Sequence, residues 1–142
     1  MGGNGRQKLA GYSGKPLVAK LGIKPDTHIA ILHSPNGYDR RLGKLPSGVT
    51  RKASAVGPLD FVQFFTKERQ ELERRFPALA RAVAPAGMLW ISWPKRASGV
   101  ATDLTEDVIR VIGLAHGLVD VKVAAVDDVW SGLKFVRRLK DR

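Results

Sequence analysis

The chain has 142 residues, 44% of them hydrophobic, which is the length of one domain and enough apolar material for an ordinary core. It contains no cysteine, which excludes disulfides, thiolate zinc sites and cysteine nucleophiles. Lys and Arg number 24 against 13 Asp and Glu, a formal net charge of +11, and no stretch approaches the ~20 apolar residues of a membrane span.

The first ten residues are polar and glycine-rich and lack the apolar stretch of a secretory signal, so the expected compartment is the cytoplasm. Residues 1–15, with Gly2, Gly3, Gly5, Gly11 and Gly14, read as a flexible tail, and residues 16–142 as a single domain. Pro16 suits the first position of a short helix carrying Leu17, Val18 and Leu21, which Gly22 stops. His28 to His33 (HIAILH) is an apolar run of strand length with no alternation, as in a strand buried on both faces of a parallel sheet. Ser34-Pro35-Asn36-Gly37 breaks it, and Tyr38 to Leu42 fits one helical turn. Val49 to Val56 is a weak second strand, and Leu59 to Phe65 (LDFVQFF) a stronger third. Thr66 can cap the next helix, whose apolar face is Leu72, Phe76, Leu79, Ala80 and Val83. Pro77 predicts a kink or a restart in it, and Pro85-Ala86-Gly87 its end.

Met88 to Trp93 (MLWISW) is a fourth strand, with Trp90 and Trp93 on opposite faces. Asp103 and Glu106 have the spacing of a capping box. The helix after it buries Leu104, Val108, Val111, Ile112 and Ala115 and stops at Gly117. Val119, Val121, Val123 and Ala125 alternate with Asp120, Lys122 and Ala124 as a strand, and Leu133 to Leu139 forms the last one, with Trp130 in the loop between. Strands alternating with helices predict an α/β domain of three layers, a Rossmann-like and mostly parallel sheet. The last two strands are too close for a crossover, so they close it as an antiparallel hairpin.

Positive charge is concentrated in the first third. Residues 1–52 hold ten basic and two acidic residues; residues 53–142 hold fourteen and eleven. Such an imbalance attracts polyanions, whether nucleic acid or an acidic protein, and salt weakens the attraction. Lys15, Lys20, Lys24, Arg40, Arg41, Lys44, Arg51 and Lys52 are the candidate contacts. A solvated surface gives the same composition.

The segment Asp60 to Val136, and in particular Pro85-Ala86-Gly87-Met88-Leu89-Trp90-Ile91 as a helix-to-strand junction, resembles the second half of class I methyltransferases that use S-adenosylmethionine. Four stretches are similar to a family of short bacterial proteins, domain of unknown function 3052. They are Gly11-Tyr12-Ser13-Gly14, Ser92-Trp93-Pro94-Lys95, residues 97–105 (ASGVATDLT) and residues 126–134 (VDDVWSGLK). That family implies a fold and carries no activity to transfer. The methyltransferase resemblance implies a glycine-rich turn after the first strand and an acid at the end of the second. His33-Ser34-Pro35-Asn36-Gly37-Tyr38 has one glycine and a proline, and Arg51-Lys52-Ala53-Ser54-Ala55 has no acid.

In an open parallel sheet, ligands bind beyond the carboxyl ends of the strands. That rule selects Ser34, Asn36 and Tyr38 from the first loop and Lys95, Arg96, Ser98, Thr102 and Thr105 from the loop before the second long helix. Basic residues and hydroxyls ahead of a helix suit an anion, and the same hydroxyls suit ordinary capping. The three histidines, His28, His33 and His116, show no metal spacing. The sequence therefore predicts a non-catalytic binding or regulatory module with a degenerate methyltransferase-like fold. No cofactor, metal or membrane is expected, and the basic first third meets the polyanion. The alternative is a small-ligand or anion-binding protein or enzyme, S-adenosylmethionine-dependent enzymes included, that uses the two loops.

Overall fold

Six strands form one sheet in the computed structural model, which describes residues 14–142. The strands are β1 (His28–Leu32), β2 (Thr50–Lys52), β3 (Leu59–Phe65), β4 (Val83–Pro94), β5 (Leu118–Ala125) and β6 (Trp130–Arg137). Their order is β2-β1-β3-β4-β6-β5, parallel from β2 to β4, with β6 antiparallel to both β4 and β5. Residues 1–13, which hold most of the glycine-rich tail and the Gly11-Tyr12-Ser13 stretch, lie outside the described residues. Helices α1 (Leu17–Leu21) and α2 (Tyr38–Leu42) cover one face, and α3 (Arg69–Ala82) and α4 (Glu106–Ala115) the other. This is the three-layer, mostly parallel arrangement with a terminal antiparallel pair that the sequence predicts.

The strands without alternation are buried on both faces. In β1, Ile29 and Ile31 join the core under α1 and α2, while Ala30 and Leu32 join the core under α3 and α4. Trp90 and Trp93 divide in the same way, and the Trp90 indole N–H donates to the Leu21 carbonyl at 2.9 Å, tying α1 to the sheet. On the other face, Phe76 of α3 meets Phe135 of β6 edge-on at 5.6 Å. A Cβ at Gly113 would lie 2.0 Å from the Phe135 ring, so only glycine lets α4 settle this close to β6.

The connection from β2 to β3 spans only residues 53–58, although parallel strands ordinarily need a dozen or more residues to cross. The shortness of β2 permits this. The return is small, and six extended residues reach ~20 Å.

Several boundaries differ from the sequence reading. The second strand shrinks from 49–56 to Thr50–Lys52, at an exposed edge. Helix α3 runs through Pro77 without restarting and ends at Ala82. Strand β4 begins at once, and its register shifts between Leu59/Val83 and Phe61/Met88, so residues 85–87 belong to the strand's irregular start. The cap of α4 is Thr105, whose Oγ1 accepts the Val108 N–H at 3.2 Å. Asp103 instead accepts the Arg69 N–H at 2.7 Å and caps α3. In α4 it is Ile109 that is buried, and Val111 is exposed. Trp130 opens β6 and packs edge-on against Phe65 at 5.2 Å. Finally, the alternation of β5 is broken by a register shift between Asp120 and Lys122, which leaves Val121 and Val123 exposed.

Candidate functional site

Strand order reverses between β1 and β3, because the chain leaves β1 for β2 on one side and returns to β3 on the other. The carboxyl ends of these strands therefore flank the crevice where open α/β sheets bind ligands. His33 follows β1 there with φ of 57°, a left-handed conformation that a side chain rarely adopts. Its Nδ1 is 3.6 Å from Glu71 Oε2, and its ring is 5.0 Å from Phe64. The other Glu71 oxygen accepts the hydroxyl of buried Thr66 at 2.5 Å. Sequence reasoning overlooked this His33–Glu71–Thr66 group, since its members lie far apart in the chain. A histidine directly after a buried strand and before Ser-Pro was the available signal.

The two loops selected from the sequence flank the carboxyl end of β3. Ser34 is partly exposed and Asn36 exposed, but Tyr38 is buried. The Tyr38 hydroxyl donates to Gln63 Oε1 at 2.6 Å, and Gln63 Nε2 donates to Ser92 Oγ at 3.0 Å, so α2, β3 and β4 share one buried polar chain. Burial pushes the Tyr38 phenol above its ordinary value, against the opposing effect of the Gln63 hydrogen bond. In the second loop, Arg96 and Ser98 lie in one turn of 3₁₀ helix. Ser98 Oγ donates to the Lys95 carbonyl at 2.7 Å, and Thr102 Oγ1 donates to the Lys67 carbonyl at 2.6 Å. With Thr105 capping α4, these hydroxyls are engaged with backbone, the structural role that the sequence offered beside the anion site.

The basic candidates divide. Arg51 pairs with Asp39 at 3.0 Å, and Lys52 is exposed beside it on β2, one edge of the sheet. Lys15, Arg40 and Lys44 are exposed around α1 and α2. Lys20 and Lys24 instead lie toward the opposite edge. Lys122 Nζ donates to the Lys20 carbonyl at 3.2 Å. Lys122 and Lys134 are direct cross-strand partners on β5 and β6. The Lys20 ammonium is held below the usual lysine value, first by burial and then by the charges of Arg41, Lys122 and Lys95. Burial lowers Lys134 as well, followed by Lys122 and Lys24. Lys122 and Lys134 thus meet Lys20 on the face that carries α1, and the charges of Lys24, Arg41 and Lys95 act on this group. Among the described residues no group of acids and histidines is arranged to hold a metal, and no helix is long and apolar enough to cross a membrane.

The methyltransferase resemblance implies an adenosyl cofactor, and the residues present do not fit the anchors for one. The β1–α2 turn has Gly37 alone, and His33 stands with a side chain in a left-handed conformation. The end of β2 presents Arg51 and Lys52, and the carboxylate facing Arg51 comes from Asp39 on α2.

No family model and no curated relative matches the chain, so the similarity to domain of unknown function 3052 gains no support there. Solved structures do match. The fold is similar to a magnesium protoporphyrin IX methyltransferase from Synechocystis PCC 6803 with bound S-adenosylhomocysteine, at TM-score 0.57 and 15% identity over 86% of this chain and 78% of that one. It is also similar to a SAM-dependent methyltransferase from Aquifex aeolicus, at TM-score 0.60 and 12% identity over 84% and 86%. A ribosomal protein L11 methylase from Lactobacillus delbrueckii subsp. bulgaricus matches at TM-score 0.55 and 11% identity over 86% and 75%. The core of this chain is therefore a methyltransferase-like Rossmann fold.

Proposed function

We propose that this chain is a polyanion-binding module built on a methyltransferase-like core, and that it does not transfer methyl groups. The observation that carries the reading is the meeting of Lys122 with Lys134 across the β5–β6 ladder and with the Lys20 carbonyl at 3.2 Å, beside which the charges of Arg41 and Lys95 also act on Lys20. An anion bound there relieves that repulsion. The reading predicts that the purified chain will bind a labelled polyanion at about 50 mM salt and lose most of that affinity by about 200 mM. Lys20→Gln and Arg41→Gln should each weaken the binding. Absence of salt-sensitive binding to every polyanion tried overturns the reading.

A second reading, a small ligand or an enzyme at the β1–β3 crevice, is favoured by the left-handed His33 beside Glu71 and by the adenosyl-bound neighbours of the fold. S-adenosylmethionine and S-adenosylhomocysteine are its first probes. Binding of either that His33→Ala abolishes would support it; binding of neither removes the adenosyl version.

A further inference from the structure

Lys122 and Lys134 stand directly opposite each other in the β5–β6 ladder, on the face that carries α1. An irregularity puts them there. Asp120 and Lys122 are two residues apart and would share a face of a regular strand. The register shift between them breaks this parity. Asp120 then faces α4, where it accepts from Arg110 Nε at 2.8 Å, and Lys122 faces α1. The bulge separates this acid from the lysine and sets the lysine against another. Lys122 Nζ in turn reaches the Lys20 carbonyl, so Lys134, Lys122 and Lys20 form a row, and the charges of Lys24, Arg41 and Lys95 act on its two ends.

The surroundings of the row indicate its partner. Among the described residues no exposed large hydrophobic belongs to α1 or α2, and those flanking Lys122 are Val121 and Val123, not the aromatic anchors that mark a protein interface. None of them is aromatic; Trp90, Phe61 and Phe65 are buried, and the partly buried Trp130 packs edge-on against Phe65, so among the described residues no Phe, Tyr or Trp ring stands fully exposed for bases to stack on. Cations without anchors or stacking rings suit a polymer recognised through its phosphates. We infer that the row Lys134, Lys122 and Lys20 is a docking surface for a nucleic-acid duplex, held by its phosphates without reading its sequence. This rests on the polyanion reading above and assigns its surface and its partner.

The test compares Lys122→Gln, Lys134→Gln and the double variant with Arg74→Gln, which removes the same charge from exposed α3 on the opposite face. Each full-length protein is titrated with a duplex, a single strand of the same sequence and polyglutamate over a range of salt. Melting curves confirm that each variant is folded. Each row substitution is expected to weaken duplex binding severalfold and to lower the slope of log affinity against log salt by ~0.9, and the double variant by about twice that. Arg74→Gln should change neither quantity comparably. Equal losses from Arg74→Gln and the row variants overturn the row and leave the polyanion reading standing. Preference for polyglutamate or the single strand overturns the duplex as partner. Failure to bind any of the three overturns both readings.

Discussion

The two faces of the sheet are built by opposite rules. Under α3 and α4, charges meet charges of the other sign. Arg110 binds Asp120 and Asp107 at 2.8 and 2.7 Å and Glu106 besides, and Asp103 caps α3. Arg137 donates to the Ala80 and Val83 carbonyls at 2.7 Å, a cation at the carboxyl end of α3. Under α1 and α2 the helices have five residues each, too few to persist without the sheet, and, the Arg51–Asp39 pair aside, cations stand beside cations. The comparison teaches that cohesion and charge are divided between the faces. One face supplies packing and complementary ion pairs, and that stability lets the other keep an unfavourable arrangement useful to a ligand.

The largest break in this division comes from the cohesive face. Phe76→Ala empties a fully buried site between Phe135 and His116 and should cost ~3–5 kcal/mol, read from urea unfolding. Gly113→Ala on the same face forces a methyl group into the Phe135 ring and should cost ~1–3 kcal/mol by the same measurement. Tyr38→Phe tests the other face where it is packed rather than charged. Removing the hydroxyl leaves buried Gln63 Oε1 without its donor, for a loss of about 1–3 kcal/mol.

The smallest effect has the opposite sign. Lys134→Gln relieves a direct cross-strand repulsion, so its melting temperature should rise, by an amount equivalent to ~0.2–1 kcal/mol. A fall would show that the Lys122–Lys134 pair is not repulsive. The pH dependence follows from the same charges. Lys20 and Lys134 bind protons less tightly in the fold than at the ordinary value of 10.5, so their charged forms oppose folding. That penalty is complete below their folded values and fades as pH rises through them toward 10.5. Stability measured along that rise should gain less in Lys134→Gln than in the parent chain.

Much of this was legible in the sequence. Apolar runs at 28–33 and 88–93 mark strands covered on both sides, 59–65 reads as a strong strand between them, and a short final link forces an antiparallel closure. The charge row was only half legible. Lys20, Lys24 and Arg41 stand out by composition, but Lys122 and Lys134 sit in a stretch of nearly balanced charge and meet only through register. The bulge at Asp120/Lys122 leaves no mark in a pattern of alternating residues, and it turns Lys122 onto the α1 face. Likewise, the His33–Glu71 contact joins the end of a strand to a helix 38 residues later, which no local pattern encodes.

The most direct test of a methyltransferase-like core that serves a polyanion is one set of melting curves. The full chain is heated with S-adenosylmethionine, S-adenosylhomocysteine or a short duplex, at low and moderate salt. A ligand at a hundredfold over its dissociation constant adds ~2.7 kcal/mol, a readily visible shift. The account predicts a shift with the duplex that disappears as salt rises, and none with the adenosyl compounds. A salt-resistant shift with either adenosyl compound and none with the duplex would contradict it.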